Sequence, residues 1–323
     1  MAAPRTSSRG WLRWLLGAAL LGGVILVALR FADAQRLVEV MRHAAPGWLV
    51  VALALQLGTY AAEGEGWRVT VRAGGASFPR AVGWRASLVK LFVDQAVPSA
   101  GIGGTAVFAR TLLDRGVPRE IVAAAVVLDT ACYYLAYVGC LFVALVIALV
   151  RAEPSPLMVA VAVAFIAVGV AIAIATLTIA GRRRGRLGER LARFRPLRAL
   201  LELLEGADRA LTRDAVLILR GVLWQAAVFA LDAATLWACV YALGGELGAG
   251  GAFASSMMAA LLRTVGVVPG GLGTWEAAAV LMLGAFGVDV AVALPATLLF
   301  RGFSFWLPLA AGFWLSRRLG HPA

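Results

Sequence analysis

Charge is scarce in this sequence, and lysine is scarcer still. Only 15% of the 323 residues are charged, and Lys90 is the sole lysine. A soluble domain carries about 25% charged residues. Histidine occurs twice, at His43 and His321, both in expected loops. The three cysteines, Cys132, Cys140 and Cys239, all lie in apolar runs. That excludes a disulfide framework and leaves no metal-ligand spacing. No activated nucleophile is apparent either. The glycines at 101–104 lack the βαβ surroundings of a dinucleotide fingerprint. No cofactor and no metal are therefore expected.

What the chain has instead is apolar surface. Hydrophobic residues make up 61% of it, against about 45–50% in soluble domains. The excess exceeds what one core can bury and fits a surface facing hydrocarbon. The net charge of +12 is almost all arginine. Those arginines sit in short blocks between apolar runs, a pattern that sets membrane topology rather than binding nucleic acid.

A spanning helix needs about 20 mainly apolar residues, and six segments qualify. They are Trp11–Leu29, about Gly47–Trp67, Ile121–Val150, Leu157–Ala180, about Ala215–Leu243 and about Val290–Leu315. The first could instead be a signal peptide cleaved near Ala32-Asp33-Ala34, although Arg30 stands between the run and that site. Gly181–Arg198 holds eight arginines and one glutamate, and Arg5, Arg9, Arg13, Arg317 and Arg318 flank the ends. With six spans every strongly basic segment falls on one side. Both termini are thus expected in the cytoplasm, in the cell membrane. Leu197, Leu200, Leu201 and Leu204 recur at helical spacing, which fits either an amphipathic helix on the leaflet or a solvated linker helix.

Two apolar stretches are interrupted. Ala86–Leu113 is broken around Pro98, Gly101, Gly103 and Gly104, and Ala252–Gly287 around Pro269, Gly270, Gly271 and Gly273. Proline and clustered glycine stop a helix. Each stretch then predicts two half-helices, a re-entrant hairpin buried in protein or lining a cavity. The order span, span, hairpin, span occurs twice. The expected architecture is all-α: about six spanning helices plus two hairpins, in an inverted-topology repeat. The chain, 1–323, reads as one membrane domain, with repeats at about 11–150 and 157–316 and an Arg-rich cytoplasmic loop at about 181–213.

Glu63, Asp94, Arg110, Asp129, Asp232, Arg263, Glu276 and Arg301 interrupt the apolar segments. Each costs about 2.5–3.5 kcal/mol at a helix centre, so such residues pair or line a polar pathway. Glu276 is expected to pair with Arg301 or Arg263. Each second half-helix is expected to start near a threonine, Thr105 or Thr274, whose free N–H groups suit an anion. Glu276 would neutralise the second tip. Thr105–Phe108 offers no acid, which makes the first tip, with Arg110, the expected phosphate site.

Leu262-Arg263, Pro269-Gly270-Gly271-Leu272-Gly273, Glu276, Phe300-Arg301 and Phe305-Trp306-Leu307-Pro308 together resemble the lysylphosphatidylglycerol synthase transmembrane region. The likeness covers roughly 40–316, and the Pro98–Arg110 block resembles that family's first conserved segment. The resemblance implies a flippase-like membrane domain handling phospholipid or polyprenyl lipid. Its motif positions fall on Glu276 and Arg301, with Arg110 and Asp129 beside them. The synthase's soluble transferase domain would need chain beyond Ala323, so aminoacyl transfer is not expected here. The expected function is movement of a lipid-linked anionic head group between leaflets. The alternatives are an intramembrane lipid-modifying enzyme, or a non-transporting partner of a separate lipid synthase or glycosyltransferase.

Overall fold

The computed structural model describes residue 42 and residues 44–96, 101–152, 154–179, 206–265 and 273–319. The first expected span, the Arg-rich segment with its leucine stripe, and Pro98, Pro269, Gly270 and Gly271 lie outside the described residues. Every described element is helical. In chain order they are α1 (Pro46–Ala73), α2 (Arg80–Ala96), α3 (Ile102–Leu113), α4 (Arg119–Arg151), α5 (Pro156–Ile179), α6 (Arg209–Arg213), α7 (Ala215–Ala242), α8 (Ala249–Val265), α9 (Thr274–Ala285), α10 (Val290–Arg301) and α11 (Leu307–Leu319). A π-helical turn, Gly302–Trp306, joins α10 to α11.

Among the described residues four stretches are long and apolar enough to cross a membrane: Arg119–Arg151, Pro156–Thr178, Ala215–Ala242 and Val290–Ser316. The expected span at Gly47–Trp67 lies within α1 but is not among these four. Glu63, Glu65, Arg68 and Arg72 in its second half lower its hydropathy. At about 1.5 Å per residue its 28 residues still reach about 42 Å. Among the described side chains of α5 only Ala162, Gly169 and Ala173 are buried. Phe142, Val150, Leu157, Val163 and Ile174 are exposed on α4 and α5. A contiguous apolar surface of this kind would be a liability in water and is what lipid requires.

Glycine decides where helices stop and how closely they pack. Gly75, Gly116, Gly244 and Gly287 all have positive φ. After each, the next residue's N–H bonds a carbonyl five positions back: Ala76 to Val71, Val117 to Leu112, Gly245 to Val240 and Val288 to Leu283. This is the Schellman closure, which needs a residue free of Cβ strain in the left-handed region. α1 and α2 cross at Gly64 and Gly83, where a Cβ on Gly64 would fall 2.9 Å from the Gly83 backbone. Along its length α1 packs on α7. α11 lies on α2, and α8 lies on α4.

Three helices before residue 180 match three after it in length. α1 and α7 both have 28 residues, α2 and α8 both 17, and α3 and α9 both 12. The left-handed glycines pair the same way: 75 with 244, 101 with 273, and 116 with 287.

Candidate functional site

Proline creates the centre of the site. Pro308 has no N–H, so carbonyls on the preceding turn lose their helical donor, and the chain relaxes into a π turn. Side chains from the first half fill the vacancy. The Tyr60 hydroxyl on α1 donates to the Phe303 carbonyl, and Gln95 Nε2 on α2 donates to the Ser304 carbonyl at 3.0 Å. The Phe305-Trp306-Leu307-Pro308 segment thus docks the end of α10 against α1 and α2.

Immediately before this turn lies the deepest ion pair among the described residues. Arg301 Nε donates to Glu276 Oε1 at 2.6 Å, with Glu276 1% and Arg301 5% exposed. The other carboxylate oxygen accepts the Gly273 N–H at 2.7 Å, which closes the start of α9. An acid there also meets the positive end of the helix. The guanidinium carbon lies 4.4 Å from the Phe305 ring centre and 5.7 Å from that of Trp275, and Trp275 stacks on Phe300 at 4.8 Å. The expected pairing of Glu276 with Arg301 is what the structure holds. Arg263 lies on α8, and its side chain is outside the described residues.

A second polar cluster belongs to the first half. Lys90 Nζ on α2 donates to Glu63 Oε1 on α1 at 2.6 Å. Asp129 on α4 and Asp94 on α2 face the same ammonium within electrostatic reach. Asp129 accepts from Gln225 on α7 at 2.9 Å. Gln56 on α1 donates to Asp232 on α7 at 3.0 Å. Side-chain amides thus tie α7 to α1 and α4.

Three expectations about the first tip are corrected. α3 begins at Ile102 after Gly101, so Thr105 stands one turn inside the helix, and its N–H bonds the Gly101 carbonyl at 3.2 Å. The tip does have an acid. Asp94 Oδ1, from the preceding helix, accepts the Gly104 N–H at 2.8 Å. A Cβ on Gly104 would collide with that carboxylate, so the glycine makes the approach possible. Arg110 is not gathered into the interior. Its side chain is 76% exposed and pairs with Asp114 at 2.8 Å. Gly103 lies in the first turn of α3, half-buried.

Sequence reasoning missed Lys90, Gln95, Gln56, Tyr60 and Gln225 as members of the site, and named Asp94 among the buried charges without its bond to the α3 tip. Gln56 and Gln225 carry a usable signal, since each stands ten residues past the first residue of two equally long helices.

Among the described residues no His, Cys, Asp or Glu group is arranged to hold a metal ion. The geometry offers a buried line of paired charges and amides between two sets of matched helices. A family model described as the lysylphosphatidylglycerol synthase TM region matches residues 14–312. No curated protein matches the chain.

Proposed function

The chain belongs to the lysylphosphatidylglycerol synthase transmembrane-region family, and from that premise we propose that it moves the charged head group of a phospholipid, or another lipid-linked anion, between bilayer leaflets. The observation that carries this reading is the buried Glu276–Arg301 pair, joined through the π turn to Tyr60 and Gln95 of the other half. Charged groups at membrane depth are costly and mark polar pathways. In this reading the head-group phosphate displaces the Glu276 carboxylate from Arg301 midway across. Asp94, Asp129 and Asp232 face any amine the head group carries. The acyl chains stay in the bilayer, so only the head group needs the polar line.

Transport of this kind fits an inverted repeat with its site between the repeats. Three observations support that plan: the equal helix lengths, the paired left-handed glycines, and the packing of α1 on its counterpart α7. α2–α3 and α8–α9 are then the two re-entrant hairpins, each with its tip held by a carboxylate, Asp94 or Glu276. The basic segments set the orientation, with both termini cytoplasmic in the cell membrane. A cysteine placed at Glu246 is expected to react with an impermeant thiol reagent from outside, and one at Gly185 to be protected. External labelling at position 185 would reverse the orientation.

The function itself is tested with vesicles that contain only the purified chain and a phospholipid labelled in one leaflet. Transfer to the other leaflet is the expected result. Chemical conversion without transfer would make the chain a lipid-modifying enzyme. The absence of both transfer and conversion would make it the partner of a separate synthase or glycosyltransferase.

A further inference from the structure

A groove opens where α1 turns into α2, at the basic end of α1. Its volume is about 460 Å³, and Arg68, Arg72, Ser77, Phe78 and Pro79 line it. We propose that it binds the phosphate-bearing head group of an anionic lipid at the membrane surface.

The groove is built for an anion. Arg68 is held in place by two bonds, Nε to the Phe78 carbonyl at 3.0 Å and Nη1 to Glu65 at 2.8 Å. A guanidinium has five N–H donors, so most of this fixed fork is left for a ligand. Glu65 is shared, since it also accepts from Arg80 at 3.0 Å. One carboxylate thus stands against the guanidinium groups of Arg68, Arg72 and Arg80. Among the described residues no carboxylate pairs with Arg72, which is exposed in the last turn of α1. The Ser77 side chain adds a neutral donor at the rim.

The surroundings select a lipid over a free anion. Phe78 and Pro79 give the groove an apolar side. One turn into α2, Trp84 is 42% exposed, and an exposed tryptophan beside basic residues suits the interface between head groups and acyl chains. Basic pockets at helix ends on the cytoplasmic side take anionic head groups for the same reason.

The matched position in the second half is different. Trp237 and Tyr241 stand 169 residues after Arg68 and Arg72 on the equally long α7. They pack with Trp48, at ring separations of 5.3 and 5.2 Å. The anion groove is therefore one-sided. It also adjoins the polar interior. Glu63 precedes Arg68 by five residues, about 7.5 Å along the helix, and holds Lys90. A role for the groove as a loading site rests on the transport reading above; the binding itself does not.

The test uses the full chain in lipid nanodiscs and measures the immobilised fraction of spin-labelled phosphatidylglycerol against spin-labelled phosphatidylcholine. This reads occupancy at equilibrium and not movement, so it can fail while transport stands, and the reverse. The unchanged chain is expected to prefer phosphatidylglycerol. Arg72→Gln is expected to weaken that preference about fivefold, the attraction of one basic residue for an anionic surface. Arg72→Lys is expected to keep most of it, and Arg151→Gln, at the far end of α4, all of it. Equal selectivity in Arg72→Gln and the unchanged chain would overturn the site. So would saturable binding of inorganic phosphate by the chain in pure phosphatidylcholine discs with no response to phosphatidylglycerol.

Discussion

Arg301→Gln is expected to abolish lipid movement in vesicles while most of the protein still folds, and Glu276→Gln to lose both movement and folded protein. The two partners differ in what each leaves behind. Without Arg301, Glu276 keeps the Gly273 N–H and the positive end of α9, and a carboxyl group can shed its charge by taking a proton. Without Glu276, Arg301 keeps aromatic rings at 4.4 and 5.7 Å but loses the carboxylate that faces it. A guanidinium cannot give up its proton. Breaking a buried pair by removing one member costs about 3–5 kcal/mol, and the glutamate change should lie at the upper end. The double change Glu276→Gln with Arg301→Gln should recover folded protein but not movement, because neither position then carries a buried charge. Denaturation in detergent and transport per folded molecule check the three variants. Equal loss of folding in both single variants, with transport per folded molecule unchanged, would make the pair purely structural and remove it from the path.

The largest effect on folding in the first half is expected at Lys90. Its ammonium is the cation among Glu63, Asp94 and Asp129. Lys90→Met removes it and leaves three carboxylates facing one another, which cannot all stay ionised at close range. The expected cost is again about 3–5 kcal/mol, visible as a sharp fall in the yield of monodisperse protein. Glu63→Gln should be much milder, because Lys90 still faces two acids and the new amide oxygen can accept a hydrogen bond from its ammonium. A Glu63→Gln loss as large as that of Lys90→Met would mean that the single 2.6 Å pair matters and the surrounding acids do not.

How far these residues could be read beforehand depends on whether their signal is local. The starts of α3 and α9 show in the sequence because glycine acts on the backbone where it stands, and Gly101 and Gly273 both have positive φ there. That Glu276 pairs with an arginine was legible because opposite charges inside apolar runs need each other, although the sequence left Arg263 open beside Arg301. Asp94 was not legible as the cap of α3. Its partner, the Gly104 N–H, comes within reach only once the chain has doubled back. Arg110 misled for a reason of helical geometry. Gly104, Phe108 and Leu112 face inward at four-residue spacing, and two residues past Phe108 is about 200° around the helix. Gln95 and Tyr60 carried no sign of their role, because the carbonyls they bond are freed by Pro308, more than 200 residues away.

The spacing of the two ion pairs also bears on how the protein is made. Glu63 and Lys90 are 27 residues apart, and Glu276 and Arg301 are 25 apart. A ribosome adding about 5–20 residues per second delivers the second member of each pair within a few seconds of the first. In both cases the acid emerges first and can wait as a neutral carboxyl group. The base, which is the costlier guest in hydrocarbon when alone, arrives to a partner already present. Neither pair reaches across the chain's midpoint, so the Glu63–Lys90 pair can form in the bilayer before the second half has been translated.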